Sequence, residues 1–255
     1  MKTALVGRDI SYTMSPKVHA AISREIGEHI SFDVLDIPYD RLESAVTDLI
    51  NGYDGFFVTV PYKNDIKKYI DCDFGGGVNV VRSRDRAVFN TDGIGFIRAL
   101  DRNFKNWRTS VSSVLVLGAG GAAYAVISAL TQIGKKVYVL NRTLMHALKL
   151  CSALGAELYA NQDAELVVNC TSVGVNGEDV FKTLCVLPKF DYAYDLVYAR
   201  GDTPFIRRVR QFGGQAANGL DMLIYQAIEG DSVLLGKKLD TESIFDNVKK
   251  AIVKE

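Results

Sequence analysis

The chain has 255 residues, 48% of them hydrophobic and 24% charged, which is enough to bury one or two ordinary cores. Thirty basic and thirty acidic residues cancel, so no charge excess points to nucleic acid or a membrane surface as partner. No apolar run reaches the roughly 18 residues of a membrane helix, and the four cysteines and three histidines make no metal spacing.

Apolar runs alternate with helix-period stretches along the chain, the pattern of an α/β protein with parallel sheets. TALVG predicts a strand and PKVHAAISREIG a helix, followed by the strand FDVLDI, the helix RLESAVTDLI and the strand GFFVTV. GVNVV and RAVFN predict two short strands around the polar turn SRDR, and DGIGFIRALDRNF predicts a helix running into the polar patch KNWRTS. A domain boundary is expected there, giving a first domain over 1–104 and a second over 105–219.

The second half restarts with the strand SSVLVLG, a helix from Gly121, the strand KKVYVL and the helix LMHALKLCSAL. Strands AELYA, ELVVNC and YAYDLV follow, then the helix TPFIRRVRQFG. Two final helical stretches, GLDMLIYQAIEGDSVLL and ESIFDNVKKAIV, are expected to pack back on the first domain. Two α/β domains with a cleft between them would place a site at strand ends facing that cleft. The cysteines (Cys72, Cys151, Cys170 and Cys185) read as reduced thiols. With no secretory signal in MKTALVGRDISYTMSP, the expected location is cytoplasmic.

The sharpest motif is VLVLGAGGAAYAVISAL, where Gly118, Gly120 and Ala123 give G-x-G-x-x-A between a strand and a helix. Gly118 permits the tight turn, Gly120 admits a pyrophosphate, and Ala123 lets the helix pack on the strand. Gly121 and Ala122 would present helix N-terminal amides to the phosphates. The next strand ends in Asn141-Arg142-Thr143, where an NAD site usually places a carboxylate. A missing carboxylate removes repulsion toward a 2′-phosphate and an arginine can grip one, so the motif favours NADP. Asn141 and Thr143 also suit capping of the following helix.

Polar residues gather at several first-half element ends. Ser11, Thr13 and Ser15 precede Pro16, and Ser15-Pro16 suits a helix cap and first helical residue. Thr59 and Lys63 flank Pro61, Asn79 sits in GGGVNV, and Asn90-Thr91-Asp92 precede a glycine. Lysine beside aspartate forms an acid/base pair in which the carboxylate holds the amine. Gln226 interrupts an apolar helix one turn past Met222 and Leu223.

Together these motifs resemble the shikimate dehydrogenase family. The likeness runs from VGRDISYTMSPKVH through VTVPYK, GGVNV, FNTDGIGF, GAGGAA, NRT and VNCTSVG to YDLVY, TPF and NGLDMLIYQA. It implies a substrate-binding domain followed by a Rossmann domain for NADP, and reversible reduction of 3-dehydroshikimate to shikimate by hydride transfer at C3. By the resemblance, Lys63 handles the proton of the C3 oxygen with Asp92 as partner. Thr59, Asn79 and Gln226 hold ring hydroxyls, Thr13 and Ser15 the carboxylate, and Tyr198 lies near the same pocket. Leu196 and Gly219 match backbone positions beside the nicotinamide. No metal is implied, and the oligomeric state is left as monomer or homodimer.

The chain departs from the family pattern in four places. Thr13 replaces a serine and Phe57 an asparagine, two changes expected to alter which cyclic acid fits. His146 stands where a second arginine is common, which would weaken the preference for NADP over NAD. The stretch from Lys63 to Asn79 is short and holds three consecutive glycines. The alternative substrate is quinate or a related cyclic hydroxy acid, whose extra C1 hydroxyl would meet Thr13 and Ser15.

Overall fold

Strand β1 (Lys2–Gly7) buries every side chain after Lys2 and lies inside a five-stranded sheet, paired on both edges. Helix α1 (Ser15–Ile26) follows with Pro16 in its first turn, where the missing N–H costs nothing, and ends on Gly27 at φ +67°. Strand β2 (Ser31–Asp36) pairs parallel with β1. After a 3₁₀ turn at Tyr39–Arg41, helix α2 (Leu42–Gly52) buries Leu42, Val46 and Leu49, one residue per turn. Strand β3 (Gly55–Val58) returns parallel on the other side of β1.

The chain then leaves the sheet through a turn in which Tyr62 N–H donates to the Thr59 carbonyl at 2.9 Å. A second 3₁₀ turn covers Ile66–Tyr69. Strands β4 (Val80–Arg82) and β5 (Ala87–Phe89) add antiparallel, giving the order β2-β1-β3-β4-β5. Helix α3 (Asp92–Asn103) begins where β5 ends.

A helical turn α4 (Trp107–Ser110) leads to β6 (Ser113–Leu117), α5 (Gly121–Gln132), β7 (Lys136–Leu140), α6 (Leu144–Leu154) and the short β8 (Glu157–Leu158). Next come β9 (Leu166–Asn169), α7 (Val180–Leu184), β10 (Tyr192–Asp195), α8 (Pro204–Gln211) and β11 (Gln215–Asn218). All six strands are parallel in the order β11-β10-β9-β6-β7-β8. The order reverses between β6 and β9, the switch point at which doubly wound sheets bind ligands. The chain closes with α9 (Leu220–Leu235) and α10 (Thr241–Val253).

The structure, a computed structural model, describes residues 1–187, 189–198 and 201–253. Met1–Gly95 and Leu223–Glu255 form one compact unit, and Phe96–Met222 the other. The boundary therefore lies inside α3 rather than after residue 104. The reason is packing: Phe96 of α3 meets Tyr194 edge-on at 5.4 Å and Phe104, just past the helix, meets Tyr192 at 5.4 Å, so both hold to β10. The final boundary likewise lies inside α9, after Met222, whose N–H donates to the Tyr194 hydroxyl at 3.3 Å. Residues 223–255 fold with the first unit, and there Asn247 donates to Glu25 of α1 at 2.7 Å.

Several elements differ from the expectation. The polar patch KNWRTS is a helical turn because Trp107 is buried, with its indole N–H on Asp101 at 2.8 Å. The strand QAAN and the helix VFKTL were not expected; both are short, and the first is made mostly of weak strand formers. Expected strand AELYA shrinks to two residues.

Phe57 is enclosed with Leu5, Ile10, Val80 and Leu234 in the first unit's core. Its ring stands 4.5 Å from the His19 ring and occupies space left by Gly230 of α9. The expectation that Phe57 shapes the substrate pocket is corrected: the residue packs under α1 and α9. A Cβ at Gly230 would lie 2.4 Å from Phe57 Cε1. Gly230→Ala is expected to destabilise the protein by about 1–2 kcal/mol, overpacking outweighing the helix propensity gained. Urea unfolding tests this, and Phe57→Leu in the same chain should restore stability.

Candidate active site

The polar residues of the first unit converge on Asn79, which is 2% exposed. Strand pairing places it: Val58 N–H donates to the Asn79 carbonyl, and Asn79 N–H donates to Phe89. Its side-chain amide donates to Thr91 Oγ1 at 2.9 Å, Asp92 Oδ1 at 3.1 Å and Gln226 Oε1 at 3.2 Å. Its Oδ1 accepts from the Thr91 N–H at 2.8 Å. Thr91 Oγ1 in turn donates to the Gln226 carbonyl at 2.9 Å. One buried amide thereby joins the β4, α3 and α9 segments of the site.

Asp92 occupies the first position of α3, with its N–H donating to Asn90 Oδ1 at 3.0 Å. Its other oxygen, Oδ2, accepts from Lys63 Nζ at 2.5 Å, and the side chains are 15% exposed for Lys63 and 5% for Asp92. The backbone of Lys63 is held by Val78 N–H, which donates to its carbonyl at 2.7 Å. Both members of the pair are thus fixed by hydrogen bonds, while the amine retains solvent access. α3 can approach α9 here because residue 95 is glycine: a Cβ would lie 2.9 Å from Gln226 Cβ and N.

At the start of α1, Thr13 Oγ1 donates to Ser15 Oγ at 3.0 Å and accepts from Ser15 N–H at 3.2 Å. The cap position is Met14, with Ser15 as the first helical residue, so the expected Ser15 cap is corrected. The threonine hydroxyl satisfies the first helical amide in its place. Thr59 lies just past β3, where its methyl would meet a Cβ at Gly7.

In the second unit, Gly118 ends β6 at φ +110°, and a Cβ on it would touch Thr171 Cγ2 at 3.0 Å. Gly120 is the cap residue of α5, and the space where its Cβ would stand is open. No side chain caps this helix, so the amides of Gly121 and Ala122 can receive an anion. Ala123 is fully buried against the strand. The loop therefore fits a dinucleotide pyrophosphate in shape and in donors. At the end of β7, Asn141 Nδ2 donates to the Thr143 carbonyl at 2.9 Å, while Arg142 and His146 are exposed. Thr143 holds the cap position of α6, but its side chain forms no capping bond.

The chain matches two family models, the shikimate dehydrogenase substrate-binding domain over residues 5–81 and shikimate/quinate 5-dehydrogenase over residues 100–172. A shikimate dehydrogenase (NADP(+)) of Chromobacterium violaceum is 30% identical over 268 residues, covering 98% of each chain. The chain belongs to the shikimate dehydrogenase family. Among solved structures, the shikimate dehydrogenase of Aquifex aeolicus superposes with a TM-score of 0.86 at 27% identity, covering 99% of this chain and 97% of that one. The Thermus thermophilus enzyme in complex with NADP(H) and shikimate has a TM-score of 0.84 at 28% identity, covering 98% of this chain and 99% of its own.

Of the residues singled out from the sequence, Lys63, Asp92, Asn79 and Gln226 are joined by hydrogen bonds in the first unit. Thr13 and Ser15 pair with each other. Tyr198, Leu196 and Gly219 belong to the second unit, where Gly219 crosses the Leu196 backbone so closely that a Cβ would lie 2.2 Å from its carbonyl oxygen. Among the described residues no cluster of three or more His, Cys, Asp or Glu side chains could hold a metal. No described helix is long and apolar enough to cross a membrane.

Sequence reasoning missed the buried trio Asn169, Asp195 and Thr203. Asp195 Oδ1 accepts from Asn169 Nδ2 at 2.9 Å and Val197 N–H at 3.1 Å, and Oδ2 accepts from Thr203 Oγ1 at 2.5 Å. The signal was a polar residue at the end of each of two apolar strands, VVN and YAYD. Burial pushes the Asp195 carboxyl up to about 6, against the pull of those three donors. A raised folded-state value means that the folded protein holds the proton more tightly than the unfolded chain. Asp195 therefore favours stability below about pH 4 and opposes it by up to about 3 kcal/mol above pH 6. Urea midpoints of wild type and Asp195→Asn from pH 4 to 7 should diverge in the variant's favour by that order as pH rises.

Proposed function

We propose that the protein is an NADP-dependent shikimate dehydrogenase, reversibly reducing 3-dehydroshikimate to shikimate. The observation that carries this reading is the Lys63–Asp92 pair, fixed through Asn79 to Gln226 in a chain of this family. In this reading the first unit holds substrate and the second holds NADP. NADP, when bound, supplies the hydride acceptor for the C3 hydrogen of shikimate and the hydride donor in reverse.

The protein's own part is proton transfer and orientation. In oxidation, Lys63 in its neutral form takes the proton from the C3 hydroxyl as the carbonyl forms; in reduction, its ammonium returns that proton. Asp92 keeps the amine aimed at one point. Asn79, Thr59 and Gln226 supply amide and hydroxyl partners for ring hydroxyls, and Thr13 with Ser15 supplies donors for the carboxylate at the start of α1. Tyr198 is assigned to the same substrate. On the second unit, Gly118, Gly120, Gly121 and Ala122 cradle the pyrophosphate. Asn141, Arg142 and Thr143 would hold the adenosine 2′-phosphate, and Leu196 and Gly219 would lie at the nicotinamide half.

The Asn79 cluster consists of uncharged donors and acceptors around one ion pair, which suits a polyhydroxylated ring better than an apolar substrate. The buried free thiol of Cys151 accords with a cytoplasmic setting. The active species is a monomer or homodimer.

The direct test is reduction of NADP+ with shikimate alone, followed by absorbance of the reduced nicotinamide, with quinate assayed in parallel. Turnover of quinate but not shikimate would overturn the substrate assignment. Lys63→Ala is expected to lower kcat by roughly 10²- to 10⁴-fold with a smaller change in shikimate affinity; near-normal kcat would remove Lys63 from the chemistry. Arg142→Ala should raise the Kd for NADP+ about ten-fold and leave NAD+ nearly unchanged, the loss of one charge-assisted contact. Isothermal titration calorimetry with the two cofactors separates these outcomes.

A further inference from the structure

Three polar residues in the motifs VNCTSVG, YDLVY and TPF take no part in this proton transfer or in phosphate binding. Asn169 and Asp195 are each 0% exposed and Thr203 is 3% exposed. Asp195 receives three donors, from Asn169, Val197 and Thr203, all of them uncharged. An ionised carboxylate only accepts hydrogen bonds, so one such group can gather three donors that no neutral side chain of its size satisfies together. A buried carboxylate held by neutral donors is costly, and stability alone would favour a neutral residue there.

The cost accompanies a geometric result. Through Asn169, Asp195 binds the chain leaving β9: Asn169 Oδ1 accepts from Thr171 N–H at 3.1 Å and Thr171 Oγ1 at 2.7 Å, and Asn169 Nδ2 also donates to the Val173 carbonyl at 3.1 Å. Through Val197 it binds the chain leaving β10. Through Thr203, whose Oγ1 accepts from Ile206 N–H at 3.3 Å, it binds the start of α8. The methyl of Thr171 lies against Gly118, the tight turn of the pyrophosphate loop. Gly219 braces the Leu196 backbone from β11.

These loops stand at the carboxyl ends of β9 and β10, across the switch point from β7. In a doubly wound sheet each mononucleotide of a dinucleotide lies on one side of that point. Asn141 and Arg142 follow β7 and mark the adenosine side, so the β9 and β10 loops form the seat of the other half.

We infer that Asp195, with Asn169 and Thr203, is a positioning residue for the nicotinamide half of the cofactor, setting Thr171 and Val173 after β9 and Leu196 and Val197 after β10 without touching the ligand. This rests on the NADP reading above.

The test compares NADP+ with adenosine 2′,5′-bisphosphate, which has only the adenosine half, by isothermal titration calorimetry. Asp195→Ala and Thr203→Val should each weaken NADP+ about ten-fold, from the loss of buried hydrogen bonds, while adenosine 2′,5′-bisphosphate changes less than about two-fold. Thr203→Ser keeps the hydroxyl and should bind NADP+ like wild type. Equal weakening of both ligands, or unchanged NADP+ binding in both variants, would overturn the inference. If Asp195→Ala fails to fold, Thr203→Val and Asp195→Asn carry the same comparison. Wild type that binds no NADP+ would instead remove the cofactor reading itself.

Discussion

One buried amide organises the first unit's site. Asn79 sits where β3 and β4 pair, and its Nδ2 reaches Thr91, Asp92 and Gln226 together. Buried polar groups must be paired, so this amide constrains every partner it has. Asp92 is held on one oxygen by Asn79, which leaves the other oxygen to define where Lys63 points. Gly95 matters for the same reason, because a side chain there would move Gln226 out of reach.

The second unit uses a different device. Its pyrophosphate loop relies on glycines and on helix amides rather than on charged side chains, since Gly118 turns, Gly120 leaves space and α5 carries no side-chain cap. Beside it, Asp195 gathers uncharged donors from three segments. One unit thus holds a lysine–aspartate pair, to which the proposed reading gives the proton transfer, and the other builds a seat of dipoles. That division matches the split between proton and hydride chemistry in a nicotinamide-dependent dehydrogenase.

Much of this was legible in order along the chain. The Gly118-x-Gly120 turn, the strand leading into Pro61 and the Asn90-Thr91-Asp92 start of α3 are local patterns, each with a local physical cause. The exchange of Phe57 for the family's asparagine was misread because a strand's period tells which residues alternate, not which face meets the substrate. Only the space left by Gly230, 173 positions away in sequence by their numbers, shows that the ring belongs to the core. Short elements such as β11 and α7 escaped for a similar reason: neighbouring strands and helices hold them, and their own propensities do not.

By itself the sequence determined the alternation of strands and helices and the dinucleotide turn, because each rests on neighbours within a few residues. Tertiary structure alone decided that the unit boundaries fall inside α3 and α9, that Asn79 reaches Gln226, and that Asn169, Asp195 and Thr203 share one carboxylate. Those outcomes depend on packing and hydrogen bonds between distant segments, where burial turns an ordinary polar side chain into a constraint on everything it touches.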